Sequence, residues 1–249
     1  MRSAGPTVVD MTVYLCHEQP ELLEHDATVT DARPGAVVLS RSAFHPGGGG
    51  QVSDIGTIES SSGSFDVTHI EIDGDMWWHV LADPTAEISG DTMVSIDADH
   101  RLRVASLHTM SHVLNALVFD EFEGSLVTGA QINGDGTGRM DFDLSAIDND
   151  RLRALAGPVN DVIERGLDVR AVYVSSDDAA STPGLVRSMS VAPPPTPDGR
   201  LRLIDVDGLD RQACGGTHLT NTAHSRPFVI GKIENKGKHN RRVRFRLGD

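Results

Sequence analysis

The chain has 249 residues, 39% of them hydrophobic, and a formal net charge of −14. This length suits one large domain or two smaller ones, and the hydrophobic content is enough for ordinary cores. No apolar run approaches the ~20 residues of a membrane-spanning helix, and the N-terminal MRSAGPTVVDMTVYL lacks the charged-then-apolar pattern of a signal peptide. We therefore expect a soluble, cytoplasmic protein with no membrane partner.

The first 96 residues show the pattern of a β domain. Short apolar runs at 12–15, 36–39, 65–72 and 76–81 are separated by turn-rich segments. The pair Asp73-Gly74 between two of these runs predicts a hairpin. Trp77 and Trp78 follow it, and we expect them to pack on the two faces of one strand. Several strands at this spacing indicate a small barrel.

The pattern changes at Asp97, where Leu102, Ala105, Leu114 and neighbouring apolar residues recur at helical spacing. Asp97 and Asp99 are available as N-caps of this helix. A second helix is predicted at 148–165, and APPPTPDG at 192–199 is typical of a loop. Strands are predicted at 126–132, 139–144, 169–174, 201–206, 228–234 and 241–247. Because helices and strands are mixed without a strict βαβ repeat, the fold class is α+β, with domains at 1–96 and 97–249.

Positive charge is concentrated at the C-terminal end. The segment from Arg226 to Asp249 contains eight Lys and Arg residues and two acidic ones. The rest of the chain therefore carries a net charge of −20. A basic end on an acidic body indicates a local anion-binding surface. The alternative is a solvated edge strand, since VRFRL alternates charged and apolar residues. That alternation does not explain the extra cluster in KIENKGKHNRR.

Two cysteines are too few for a disulfide framework in a chain of this length. Cys16 lies in the apolar stretch TVYLCHE, which favours a buried thiol on a strand. Cys214 lies among glycines beside a histidine, an environment that suits a metal ligand better than a core position.

Two pairs of residues have the spacing of metal ligands. His108 and His112 in LHTMSH are four apart and share one face of a helix. Cys214 and His218 in ACGGTH bracket two glycines, which let the chain turn until both side chains converge. One sulfur and three imidazoles form a common zinc set. The glutamate that a zinc protease carries next to its first histidine is absent, so we exclude that class.

The segment PGGGGQ contains Gly48, Gly49, Gly50 and Gln51. Its backbone N–H groups are free to approach a phosphate or a carbonyl group closely. It is not a phosphate-binding P-loop, because no Gly-Lys-Ser/Thr follows. A plain hairpin turn seldom needs four glycines. We therefore expect the segment to face the metal site, with Gln51 as a candidate contact.

These motifs together resemble those of a known protein family. HTMSH followed by QACGGTH resembles the alanyl-tRNA editing family, which comprises the free-standing AlaX proteins and the editing domain of alanyl-tRNA synthetase. FHPGGGGQVSDIG resembles the glycine-rich motif of the medium-length AlaX class, and VTGAQI and KIENKGKHNRRVRF resemble further family segments. Two positions depart from the family pattern: His45 stands where a tyrosine is usual and Gly47 where threonine is frequent.

The resemblance implies a translation-factor-like β-barrel followed by an α+β zinc-binding editing domain. It implies Zn²⁺ held by His108, His112, Cys214 and His218. It implies hydrolysis in trans of mischarged tRNA(Ala), above all its seryl form, with the glycyl form as a further candidate. Two alternatives stay open: a tRNA-binding module with a structural zinc and no turnover, and a zinc hydrolase of another acyl ester.

Three further expectations concern the substrate. A serine-specific site needs small polar groups near the metal, and VTGAQI supplies Thr128 and Gln131, with Thr109 as a weaker candidate. The basic segment is expected to contact tRNA phosphates through five residues: Lys232, Lys236, Lys238, Arg241 and Arg242. Four protein ligands would close a tetrahedral zinc site. For catalysis, therefore, either one ligand, foremost His218, is displaced, or the metal positions the substrate while water is activated elsewhere.

Overall fold

The structure, a computed structural model, describes residues 13–144, 148–175, 185 and 199–249. These residues divide into two compact units. The first contains the described residues up to Pro46 together with Ser53–Ala98. The second contains Gly47–Val52 together with the described residues from Asp99 to Asp249. The glycine-rich segment at 47–52 therefore packs with the second unit, although in the sequence it lies before the predicted domain boundary at 96/97.

The described part of the first unit contains eight strands: β1 (Val13–Tyr14), β2 (Glu24–Arg33), β3 (Ala36–Leu39), β4 (Arg41–Ser42), β5 (Gly56–Ser60), β6 (Gly63–Asp73), β7 (Met76–Leu81) and β8 (Asp91–Ile96). Six of them close into an antiparallel barrel in the order β2-β3-β7-β6-β5-β8. β1 and β4 form a separate parallel pair. The predicted barrel is confirmed, although three of its strands, β2, β5 and β8, were not singled out from the sequence.

Alternating side chains fill the barrel. Along β8 the residues Thr92, Val94 and Ile96 are buried while their neighbours are more exposed, the period of two that a half-buried strand requires. Asp73 pairs with Met76 across the β6–β7 turn, which confirms the predicted hairpin. Trp77 packs against the barrel core and stacks on Tyr14, while Trp78 packs in a separate cluster with Ala36 and Val38. The two tryptophans therefore occupy opposite faces of β7, as expected.

Cys16 is fully buried, as predicted, but it lies in a turn after β1 and not on a strand. The strand predicted at 12–15 is limited among the described residues to Val13–Tyr14.

The second unit contains three α-helices, a 3₁₀ helix and seven strands among its described residues. The helices are α1 (Ala98–Glu121), α2 (Asn149–Ala154) and α3 (Ala156–Arg165), with the 3₁₀ helix at Thr222–His224. The strands are β9 (Leu126–Ile132), β10 (Thr137–Asp143), β11 (Val169–Ser175), β12 (Arg200–Val206), β13 (Asp210–Ala213), β14 (Phe228–Asn235) and β15 (Asn240–Leu247). The strands form two antiparallel sheets, ordered β14-β15-β10-β9 and β11-β12-β13. This arrangement confirms the mixed α+β class.

Helix α1 is buried around most of its circumference. Apolar side chains such as Leu107, Met110 and Leu114 are fully buried in a core with residues of β9, β10, β15 and α3. A helix covered on most sides is held mainly by tertiary packing. Leu102, which fits the apolar spacing, is nevertheless 48% exposed. Asp97 immediately precedes the first helical residue, which is the N-cap position, whereas Asp99 lies inside the first turn and is not an N-cap.

The single helix predicted at 148–165 is wrong in one respect, because the structure has two helices that meet at Leu155. Asp148 caps the first of them, its carboxylate accepting from the backbone N–H groups of Asp150 and Arg151 at 3.0 Å. Pro158 explains the break: it has no N–H to continue the ladder, but it is tolerated in the first turn of a new helix. The loop predicted at 192–199 lies outside the described residues except for Gly199. None of the described helices is both long and apolar enough to cross a bilayer.

Candidate metal centre

Both predicted ligand pairs meet in one cluster. The side chains of His108, His112, Cys214 and His218 offer four ligand atoms that all lie within 4.8 Å of one another. The two histidines of α1 lie on one face, with ring centroids 5.2 Å apart. His218 packs against both rings at 4.3 and 4.8 Å. Residues as far apart in the chain as His108 and Cys214, which are separated by 106 positions, therefore form a single site.

Two distances in the cluster are close to those between neighbouring ligands of a tetrahedral ion. Cys214 Sγ lies 3.4 Å from His108 Nε2 and 3.3 Å from His218 Nε2. Zinc bonds of ordinary length place neighbouring tetrahedral ligands roughly 3.3–3.8 Å apart. His112 Nδ1 is buried and has no hydrogen-bond partner among the described residues. An unpaired buried nitrogen is costly, and ligation through it would remove that cost.

Hydrogen bonds fix two of the imidazole rings. Gln51 Oε1 accepts from His108 Nδ1 at 2.7 Å, so the other nitrogen, Nε2, faces Cys214. Thr109 Oγ1 lies 3.3 Å from His218 Nδ1 and also accepts from the backbone N–H of Leu219 at 3.0 Å. Metal-binding histidines are commonly oriented by such a partner on the second ring nitrogen. Gln51 and Thr109 therefore act on the cluster through its histidines.

Gln51 is itself held on both sides of its amide. Its Oε1 accepts from the backbone N–H of Thr217 and its Nε2 donates to Thr217 Oγ1, both at 3.0 Å. These two bonds set the orientation of the amide. They also tie the glycine-rich segment to the CGGTH turn.

The glycine-rich segment pairs with β9 beside the cluster. Ile132 donates to Gly50 O at 2.7 Å and accepts from Val52 N at 3.2 Å. Gly48, Gly49 and Gly50 all have positive φ, which a residue with a Cβ rarely adopts. At Gly50 a Cβ would also lie 2.6 Å from Ala130 O. The glycines thus let the chain make the turn that delivers Gln51.

Gly216 is required by close packing. A Cβ at this position would clash with the ring of His108 and lie 2.6 Å from Gln51 Oε1. The second residue of the GG pair therefore leaves room for a ligand and for the side chain that orients it.

Comparison with known proteins gives a consistent result. Residues 11–102 match the model of class II (A) tRNA synthetases, and residues 201–244 match that of the threonyl and alanyl tRNA synthetase second additional domain. The alanyl-tRNA editing protein AlaX-M of Methanosarcina acetivorans is 36% identical over 222 residues, covering 86% of this chain and 89% of that protein. The chain belongs to the AlaX-M family.

Two further relatives are consistent with this assignment. AlaX-M of Saccharolobus solfataricus is 29% identical over 238 residues, covering 94% of this chain and 98% of that protein. The alanine–tRNA ligase of Korarchaeum cryptofilum is 32% identical over 222 residues, covering 88% of this chain but 24% of the ligase. This AlaX-M member thus corresponds to one part of a much longer synthetase and to nearly the whole of the free-standing proteins.

Sequence reasoning missed one residue of the AlaX-M site. Arg202 on β12 is 5% exposed, and its Nη1 donates to the carbonyl groups of Cys214 at 2.8 Å and Gly216 at 3.0 Å. The β12–β13 hairpin places it there, because Leu203 pairs with Ala213. An arginine inside the apolar run LRLIDV, just upstream of CGGTH, was the available signal.

Burial also sets the protonation of the ligands. It lowers the pKa of His112 to about 4, with the nearby Arg202 charge acting in the same direction. It raises the pKa of the Cys214 thiol, against the Gly216 N–H and the Arg202 charge, which lower it. His112 therefore stays in the neutral form that binds metals, whereas the thiol is deprotonated as a cation binds.

The other substrate candidates, which lie on β9, have partners of their own. Thr128 Oγ1 donates to Asp141 O at 3.2 Å and accepts from Asn240 Nδ2 at 2.7 Å. Gln131 is exposed and bonds Asn133 and Arg139. Of the polar candidates, Gln51 and Thr109 are hydrogen-bonded to histidines of the cluster. The side chains of Thr128 and Gln131 are instead hydrogen-bonded to residues of β10, of β15 and of the turn after β9.

Much of the basic segment is paired with acidic groups. Arg242 forms two 2.8 Å bonds with Asp141. Lys232 Nζ lies 3.4 Å from Glu234 Oε1. Three bonds tie Arg241 to oxygens within the β14–β15 turn region. Lys236 and Lys238 are exposed and have no ion pair within the described ranges.

Gln51→Ala is expected to weaken metal binding by roughly 10- to 100-fold, the usual cost of removing a ligand's hydrogen-bond partner. His108 would lose the acceptor that fixes its tautomer and ring orientation. The measurement is zinc affinity by competition with a chromophoric chelator. Gln131→Ala is the matched control, since Gln131 does not contact the cluster, and its zinc affinity should equal that of the wild type. Equal affinities in both variants would contradict the orienting role.

Proposed function

We propose that this protein hydrolyses the ester of mischarged tRNA(Ala) in trans, in the cytoplasm, with seryl-tRNA(Ala) as its main substrate and glycyl-tRNA(Ala) as a second one. The observation that carries the proposal is the convergence of His108, His112, Cys214 and His218 with Gln51 bonded to one of them. Membership of the AlaX-M family, whose members are named alanyl-tRNA editing proteins, supports the same reaction. The proposal extends to a translation-factor type for the six-stranded barrel.

Zinc is the proposed metal of the cluster. Three imidazoles and one thiolate are borderline-soft ligands that suit Zn²⁺ over Mg²⁺ or Ca²⁺. When bound, zinc supplies a Lewis acid that polarises a carbonyl oxygen and lowers the pKa of a coordinated water to about 7. The sulfur–nitrogen distances of 3.3 and 3.4 Å support this choice.

The chain's own groups organise the reaction centre. Gln51 holds the ring of His108 and Thr109 holds that of His218, so the four ligand atoms face one point. Arg202 holds the carbonyl groups on both sides of Gly215, which keeps the turn between Cys214 and His218 in shape. His112 retains more exposure than the other three ligands, so the ester of the 3′-terminal ribose would approach on its side.

Recognition of serine is the finer part of the proposal. A pocket that offers buried hydrogen-bond partners to a hydroxyl rejects the analogue without it by roughly 10⁴-fold or more, because those partners are left unpaired. Thr128, Gln131 and Thr109 are the candidate partners. Support for β9 comes from its pairing with the segment that carries Gln51, which occurs at Ile132, four residues beyond Thr128 in the strand.

Thr128→Val tests this assignment, because valine keeps the shape and removes the hydroxyl. We expect the variant to keep zinc and to lose at least tenfold of its preference for seryl-tRNA(Ala) over alanyl-tRNA(Ala). The measurement is the ratio of deacylation rates on the two substrates. Thr92→Val, a buried β8 threonine in the barrel, is the control. An unchanged ratio in Thr128→Val would move serine recognition to Thr109 or the glycine-rich segment.

The tRNA would be held through phosphate contacts from Lys232, Lys236, Lys238, Arg241 and Arg242. Lys236 and Lys238 are the strongest of these candidates, since no described carboxylate neutralises them. Contacts of this kind make tRNA affinity fall with rising salt concentration.

Deacylation of purified seryl-tRNA(Ala), with and without chelator, tests the function. We expect turnover by the zinc-loaded protein, loss after chelation and recovery when zinc is restored. Binding of tRNA without turnover would indicate a binding module with a structural zinc. Turnover of simple acyl esters, but not of seryl-tRNA(Ala), would indicate a different ester hydrolase.

A further inference from the structure

A cavity of about 220 Å³ lies along α1, and none of the four cluster residues lines it. It is lined by Asp99, Leu102, Arg103, Ser106, His224, Arg226 and Leu247. All of these residues belong to the second unit. None of them was singled out as a functional residue from the sequence, and none contributes to the cluster.

The cavity presents several donors that lack acceptors. The guanidinium group of Arg103 uses Nε for Gly134 O at 2.9 Å, and no carboxylate pairs with it in the described part of the chain. The same holds for Arg226, whose side chain is exposed. In contrast, Arg139 on β10 and Arg242 on β15 both form ion pairs with the carboxylate of Asp141.

Ser106 gives an independent indication of a ligand. It is only 2% exposed and lines the cavity. No hydrogen bond of its hydroxyl is found among the residues that the structure describes. Because the residue borders the cavity, this hydroxyl can donate a hydrogen bond to a ligand that enters it.

The charges in the cavity match a singly charged anion. Arg103 and Arg226 contribute two positive charges and Asp99 one negative charge, which leaves +1 with His224 counted as neutral. A phosphodiester carries one negative charge and several acceptor oxygens, and arginine binds it with charge-assisted hydrogen bonds. Leu102, 48% exposed at the rim, offers an apolar surface for the attached sugar.

The position is compatible with an RNA that also reaches the metal centre. Ser106 precedes His108 by two residues, which places the two side chains about 160° apart around the helix. The cavity and the cluster are thus separated by about one helix diameter, on the order of 10 Å. A polynucleotide covers that distance within a few nucleotides.

We propose that the cavity formed by Arg103, Ser106, His224 and Arg226 binds a backbone phosphate of the RNA whose 3′ end enters the metal centre. The inference rests on the proposed function for the identity of the RNA. The four residues of this phosphate site lie outside the basic segment at Lys232–Arg242.

The test compares two double variants with equal net charge. Arg103→Gln/Arg226→Gln removes both cationic donors of the cavity. Arg170→Gln/Arg211→Gln is the control, because these exposed arginines are paired with Asp168 and Asp205 outside the cavity. Binding of deacylated tRNA(Ala) is measured over a range of salt concentrations. We expect the cavity variant to bind roughly tenfold more weakly and its salt slope to fall by about one.

Further measurements separate the possible outcomes. Arg226→Gln alone, which leaves the Arg103–Gly134 bond intact, should show the effect in part even if the double variant is unstable. Zinc content should be unchanged in all variants. Equal tRNA affinity of the cavity and control variants would overturn the inference, as would loss of inorganic phosphate binding with tRNA binding unaffected. Deacylation of seryl-tRNA(Ala) by the wild-type protein is measured in a separate experiment, and a lack of turnover there contradicts the proposed function. A loss of tRNA affinity in the cavity variant but not in the control variant supports the phosphate site whether or not the wild-type protein deacylates seryl-tRNA(Ala).

Discussion

Cys214→Ala is expected to lose bound zinc and seryl-tRNA(Ala) deacylation together. Cys214 Sγ lies within 3.4 Å of two histidine nitrogens, so its removal takes away the one negative charge that offsets the cation. Loss of a partner that only orients a ligand costs about 10- to 100-fold in metal affinity or activity, and removal of a ligand should exceed 100-fold. Zinc content by elemental analysis and deacylation rate are the two measurements.

Cys16→Ala is the matched control for this variant. Cys16 is the second free cysteine and is also buried, but it lies in the barrel unit. The same chemical change there should cost some stability while zinc content and activity stay at the wild-type level. An active Cys214→Ala protein without zinc would refute the role of the metal in the reaction.

Gly216→Ala is expected to disrupt the metal centre although it removes no functional group. Its added methyl would occupy the space of the His108 ring and of Gln51 Oε1, both fixed by hydrogen bonds and packing. Because the clash involves a ligand and its orienting residue, we expect loss of zinc affinity of at least about 100-fold. Chelator competition and deacylation rate measure the effect.

Gly157→Ala is the corresponding control. A methyl group at Gly157 meets no atom within 4 Å, and the residue lies in α3. Alanine is favoured over glycine in a helix by up to about 1 kcal/mol, so this variant should be as stable as the wild type or more so, with normal zinc affinity. Full zinc affinity in Gly216→Ala would show that the CGGTH turn can move away from His108.

Local patterns in the sequence determined the elements and the ligand types. The i, i+4 spacing of His108 and His112 fixes a shared helix face whatever surrounds it. The turn chemistry of Asp73-Gly74 and the alternation of the neighbouring runs predicted the hairpin of the barrel. The family motifs joined the CGGTH segment to the helix, and the structure brings all four ligands together. The helix break near Pro158 was also readable locally, because proline has no N–H to continue a helix.

Only the tertiary structure decided which polar groups act on one another. The bond from His108 to Gln51 spans 57 residues, and those between Gln51 and Thr217 span 166. Arg202 reaches the CGGTH turn because two strands pair. Spacing along the chain carries no information about such contacts, since they depend on how sheets and helices pack. For the same reason the sequence located the positive charge in its C-terminal segment, whereas folding pairs Arg242 with Asp141 and leaves Arg103 and Arg226, which line one cavity with Ser106, without a carboxylate partner among the described residues.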